Sequence, residues 1–179
     1  MSTKTSIFNP IRLLTASAMC LALCLVLPFL TGQIPQIGSA LLPMHIPVLL
    51  CGYLCGPWWA LLVGICAPLL RYLLFGMPPL LTAMAMSAEL AGYGAVCGIL
   101  YRKFPKNLAG IYLSLIVSMI AGRILWGIAM VFITGIGSNG FSWSLFVAGA
   151  LTNAIPGIIL QLILIPILVS TLRKANYIE

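Results

Sequence analysis

From Leu13 to Leu70 the chain carries no Asp, Glu, Lys or Arg, and the scarcity continues beyond that stretch. Of 179 residues only 6% are charged and 62% are hydrophobic, whereas a soluble domain carries roughly 25% charged residues. Such a chain has too little polar surface to face water. The expected class is an all-α membrane protein, a single integral domain over 1–179 with room for about six helices of roughly 20 residues and little loop. A basic start (Lys4, Arg12) leads into an apolar run ending at Pro28, with no small-residue cleavage site behind it, so no cleavable signal peptide is expected.

Pro, Gly and charge divide the apolar runs. They predict helix 1 over 12–30, a neutral loop over 31–43, and a short helix 2 over 44–56 closed by Gly56-Pro57. Helix 3 follows over 57–75 and ends at GMPP; helix 4 covers 80–101, helix 5 108–134 and helix 6 142–172. Lys4 and Arg12 precede helix 1, Arg102, Lys103 and Lys106 separate helices 4 and 5, and Arg173 and Lys174 follow helix 6. The connections 31–43, 76–79 and 135–141 carry no charge. With six crossings every basic group lies on one side, and the positive-inside rule puts both termini in the cytoplasm.

Arg71, Glu89 and Arg123 remain, all inside predicted spans. At about 1.5 Å per residue they lie roughly 6, 14 and 16 Å below the outer ends of their helices. Each costs about 2.5 to 3.5 kcal/mol at mid-bilayer, so they should face the bundle interior and have partners. Glu89 can pair with Arg123 or with Arg71, which ties helices together and leaves one arginine over. A spare guanidinium suits a carboxylate or phosphate, and the surplus of one positive charge predicts a pocket for a small anionic solute. Asn153 lies in a Gly149–Asn153–Gly157 repeat on one face of helix 6, Tyr93 stands one turn from Glu89, and Trp126 one turn from Arg123. These residues line a pocket or act as interhelical packing and glue. Gln161, nearer the cytoplasmic end, reads as structural.

His45, set between Pro43 and Pro47, is placed at the outer start of helix 2, where it either meets a ligand from above or caps loop carbonyls. It is the only histidine and has no metal-ligand companions. The six cysteines lie inside apolar runs without CxxC spacing and read as packing residues. Trp58, Trp59 and Trp143 fall at predicted membrane interfaces, as an aromatic belt does. On helix 1, Ala18 and Ala22 form a small-xxx-small pair that either packs internally or lets a second protein's helix approach closely. No Walker motif, metalloprotease signature or paired-acid site is present, so neither ATP hydrolysis nor another enzymatic activity is expected. A metal, cofactor or nucleic-acid partner is not expected either. A non-transporting membrane scaffold, or a small intramembrane enzyme using Glu89 as a base, are the alternatives to a solute-binding protein.

The stretches LLPMHIPVLLCGYLCGP (41–57), APLLR with FGMPP after it, and AMSAELAGYGAVCGILY on helix 4 resemble the substrate-binding S components of energy-coupling factor (ECF) transporters. The likeness covers nearly the whole chain and extends to its size, its six helices and the Ala18/Ala22 pair. It implies a multi-pass cell-membrane protein that captures a vitamin or related micronutrient from outside. It further implies docking through small residues of helix 1 onto a T component carrying two ATPases, and toppling of the S component in the bilayer. The IPVLLCGYLCGP run is most similar to the riboflavin and pantothenate carriers. Where riboflavin carriers tend to have an acidic residue before Ile-Pro, this chain has His45. That difference and the surplus positive charge favour a carboxylate-bearing vitamin such as pantothenate, with riboflavin, thiamine precursors, folate and queuosine precursors as the alternatives. On this reading Arg71, Glu89, Arg123 and Asn153 line the site and His45 closes it.

Overall fold

The computed structural model describes residues 10–31, 40–135 and 154–178, and among them all regular structure is helical. Helix α1 (Pro10–Val26) runs into a 3-10 turn at Leu27–Thr31. It is followed by α2 (His45–Cys55), α3 (Pro57–Phe75), α4 (Leu80–Lys103), α5 (Leu108–Thr134) and α6 (Ile155–Lys174). Among the described residues five helical stretches are long and apolar enough to cross a membrane: Pro10–Leu30, Pro57–Phe75, Leu80–Lys103, Leu108–Thr134 and Ile155–Lys174. Part of the predicted loop after helix 1 and the expected start of helix 6, with Gly149, Asn153 and Trp143, lie outside the described residues.

Local chemistry sets these boundaries. Gly56 takes φ 88°, a conformation that side chains disfavour, and Pro57 opens α3 at the first helical position. The Asn107 side chain accepts from Gly110 N–H at 2.8 Å and caps α5. Helix α4 extends two residues beyond the predicted end, because Arg102 and Lys103 suit a helix C-terminus and Pro105 then stops the chain.

The shortest of these six α-helices is the central one. At about 1.5 Å per residue α2 covers roughly half of a hydrocarbon core, and nine of its 11 residues are buried. One side joins Cys20, Cys24, Val63, Ala67 and Leu90, drawn from α1, α3 and α4. The other side joins Tyr93, Cys97, Ile111, Leu115, Ile165 and Val169, drawn from α4, α5 and α6. Five of the six cysteines are buried packing residues with free thiols; Cys66 faces outward.

Helices α3 and α4 meet backbone to backbone. A Cβ on Gly64 would stand 2.6 Å from the Leu90 carbonyl oxygen, and one on Gly94 would stand 2.8 Å from that of Ala60. Rigid backbone cannot yield as a flexible side chain does, so Gly64→Ala is expected to destabilise the bundle by about 1–3 kcal/mol. Thermal unfolding in detergent measures this; an unchanged midpoint contradicts the close approach.

Three basic segments gather at one end of the bundle. The Arg12 guanidinium lies over the Tyr177 ring, 5.3 Å from its centre. Arg173 donates to the Lys106 carbonyl, and the Lys106 ammonium donates to the Tyr101 carbonyl at 2.7 Å and sits 3.8 Å from the centre of the Tyr101 ring. Trp58, at the start of α3, is 76% exposed, so its ring is available to an interfacial belt.

Candidate functional site

The site begins at the packing of α2, α4 and α5. Four-residue spacing on α4 puts Glu89 and Tyr93 on one face, and both are buried, at 2% and 0% exposure. From α5, Arg123 brings Nη1 within 2.8 Å of Glu89 Oε1. From the first turn of α2, His45 brings Nε2 within 3.3 Å of the same oxygen. The His45 ring meets Tyr93 edge-on, with centroids 5.0 Å apart and planes at 85°. Gly122 makes this possible, because a Cβ there would collide with the Tyr93 ring.

Of the two pairings open in the sequence, Glu89 takes Arg123. The oxygen lies close to Arg123 Nη1 and His45 Nε2, yet off the line that a hydrogen bond needs. Glu89 Oε1, both ring nitrogens of His45, the Tyr93 hydroxyl, and Nε and Nη2 of Arg123 are all buried without a hydrogen-bond partner. Buried polar groups in folded proteins are overwhelmingly partnered, and each one left alone costs about 1–3 kcal/mol. Four neighbouring side chains, His45, Glu89, Tyr93 and Arg123, share this deficit.

Arg123 carries its share along one edge. Its Nη1 faces Glu89, whereas Nε and Nη2, which donate in parallel along one edge of the guanidinium plane, have no partner. That edge matches the two oxygens of a carboxylate. The Arg123 side chain keeps 14% of its surface exposed, while its Nε and Nη2 atoms are themselves buried.

Other predicted site residues separate from this group. Arg71 is buried, but its Nη1 donates to the Leu25 carbonyl at 2.7 Å. Its guanidinium lies 5.1 Å and 5.4 Å from the centres of the Phe29 and Phe75 rings, which themselves meet edge-on at 5.0 Å. The carbonyl is available because Pro28 has no N–H and the chain tightens to 3-10 at Leu27, breaking the regular pattern at the end of α1. Arg71 therefore clamps α1 to α3 and makes no ion pair with Glu89. Arg71→Ala is expected to lower stability by about 1.5–3 kcal/mol, the worth of a hydrogen bond from a charged group, while leaving solute affinity within about threefold. A hundredfold loss of affinity without loss of stability would contradict this placement.

His45 also differs from expectation. It is 1% exposed and lies inside the bundle beside Glu89, so neither the capping of loop carbonyls nor a position above the site describes its side chain. Trp126 is half-buried one turn along α5, and Asn153 lies outside the described residues. Gln161, read from the sequence as structural, is fully buried with both amide atoms unpartnered. Its signal in the sequence was a polar amide in an otherwise apolar helix. Gly157 lets the chain at Ala40–Leu41 lie against α6: a Cβ there would stand 2.7 Å from the Ala40 carbonyl oxygen. On the outward side of α1, Ala18 and Ala22 are exposed, while Ser17, Cys20 and Cys24 are buried.

A family model described as "ECF transporter, substrate-specific component" matches residues 12–169. No curated protein and no solved structure matches the chain. The matched span includes the whole His45–Glu89–Tyr93–Arg123 cluster.

Proposed function

We infer the function of this chain from its kinship: it belongs to the family of ECF-transporter substrate-specific components. That is a family of membrane subunits that bind a transported solute, not a family of enzymes, and its members work with a T component and ATPases. Here the subunit captures a small, vitamin-like, carboxylate-bearing solute from outside the cell and holds it at Arg123 within the α2–α4–α5 cluster. The observation that carries this reading is the buried, unpartnered Nε/Nη2 edge of Arg123.

The surplus charge does not carry the anionic preference, because the Arg71 guanidinium lies apart from the cluster and donates from Nη1 to the Leu25 carbonyl. The free edge of Arg123 does, and pantothenate, a carboxylate vitamin, satisfies it. His45, Glu89 and Tyr93 complete the site, and the sequence adds Trp126, one turn from Arg123, and Asn153 as further candidates.

The chain makes six crossings, with α2 as the second. Both termini are cytoplasmic, in the plasma membrane of a bacterium. The convergence of Arg12, Lys106, Arg173 and Tyr177 at one end supports this topology, since basic termini and turns stay inside. The outward Ala18/Ala22 face of α1 docks on the T component, and toppling of the subunit presents the solute to the cytoplasm.

Purification of the tagged chain from its native membrane tests the assembly. It should bring down a multi-span T component and two ATPases; recovery of the chain alone in every mild detergent contradicts an importer subunit.

A further inference from the structure

The unpartnered atoms restrict the solute beyond its charge. Arg123 Nε and Nη2 can only donate, so they require acceptors; an ionised Glu89 Oε1 can only accept, so it requires a donor. The two demands arise side by side, because Arg123 Nη1 lies 2.8 Å from that same Glu89 oxygen. A plain carboxylate answers the arginine and brings a second set of acceptors towards Glu89, which already lacks a well-aligned donor. The His45 nitrogens, one donor and one acceptor in the neutral ring, and the Tyr93 hydroxyl, which does either, adapt to the group that arrives.

We propose that the solute carries an N–H or O–H donor a few bonds from its carboxylate: a hydroxy acid or an N-acyl amino acid, rather than a plain alkanoic or aromatic acid. The carboxylate spans the free edge of Arg123. The donor of the solute bonds Glu89 Oε1, and the His45 and Tyr93 atoms bond what remains of the same polar group. Glu89 is thus a specificity residue as well as the partner that holds Arg123 in place. A site built to hydrogen-bond a donor rejects analogues that lack one, because its own buried acceptor is then left without a partner.

This inference rests on the carboxylate reading above, and one panel separates the two. Thermal stabilisation of the detergent-purified wild-type protein is measured against concentration for three sets of probes. The first contains pantothenate, N-acetyl-β-alanine and mevalonate, acids with donors. The second contains hexanoate and octanoate, acids without donors, and the third is panthenol, which keeps the donors of pantothenate and lacks its carboxylate. The expected result is stabilisation by at least one acid of the first set, with half-saturation at about tenfold lower concentration than for any plain acid, and none from panthenol. Plain acids acting as well as every acid of the first set would overturn the donor requirement and leave the carboxylate reading standing. Panthenol matching pantothenate, or no acid of either set stabilising the protein, would overturn the carboxylate reading itself. Glu89→Gln should reduce the preference for donor-bearing acids, because its neutral amide oxygen is a weaker acceptor than a carboxylate and its nitrogen can only donate. An unchanged preference in a folded Glu89→Gln protein contradicts the role of Glu89.

Discussion

Arg123→Lys is expected to weaken solute binding by about tenfold to a hundredfold, and Arg123→Ala to abolish it. Lysine keeps the positive charge next to Glu89 but replaces a planar fork with a single ammonium, so the two parallel donors for a carboxylate are lost. Charge-assisted hydrogen bonds are worth about 1.5–3 kcal/mol each, and a tenfold change in affinity corresponds to about 1.4 kcal/mol. The alanine variant does more damage. It leaves Glu89, 2% exposed, without the guanidinium that faces it at 2.8 Å, and breaking a buried ion pair on one side costs about 3–5 kcal/mol. Its thermal midpoint should therefore fall together with its affinity. The lysine variant isolates recognition from folding: calorimetry should give a raised Kd at a nearly unchanged midpoint. Near-normal affinity in both variants contradicts the assigned role of Arg123.

Ala18→Trp is expected to produce the opposite pattern, with solute binding within about twofold of wild type and assembly with the T component lost. Both Ala18 and Ala22 lie on the outward side of α1, away from the buried Cys20 and Cys24 that pack on α2. Small residues spaced by four let two helix backbones approach closely in a membrane, and an indole in their place holds a partner helix away. Co-purification with the T component and ATP-driven uptake should both fall to background. Uptake that survives the substitution would show that α1 is not the docking face.

Much of the fold was legible in the sequence because membrane helices end where lipid ends. The bounds of α3 and α5 follow directly from Gly56-Pro57, the GMPP turn, the RKFPKN turn and Gly135. The buried ion pair was legible for a related reason: only three charged residues fall within apolar runs, and the single acid among them must find a cation. Its choice of cation was not legible. Rise per residue places Arg71 and Arg123 along their helix axes, but says little about which carbonyls become free nearby. The break in α1 at Leu27–Pro28 supplies Arg71 with the Leu25 oxygen, and the surplus charge read from the sequence is thereby separated from the Glu89 cluster. The burial of His45 was not legible for a similar reason. A helix start beside two prolines reads as an interfacial feature, yet α2 is so enclosed that its first residue is interior. The burial of the Gln161 amide without a partner was not legible, because depth along a helix says nothing about which groups face it.

The central claim is that the cluster around Glu89 and Arg123 holds the transported solute. The most direct measurement is mass spectrometry of the small molecules released when the purified protein is denatured, with Arg123→Ala treated identically. A carboxylate-bearing molecule released by the wild type and absent from the variant is the predicted result, and it would identify the cargo. The same molecule recovered in equal amount from both proteins would contradict the account, because the solute would then be held without the residue on which the site is built.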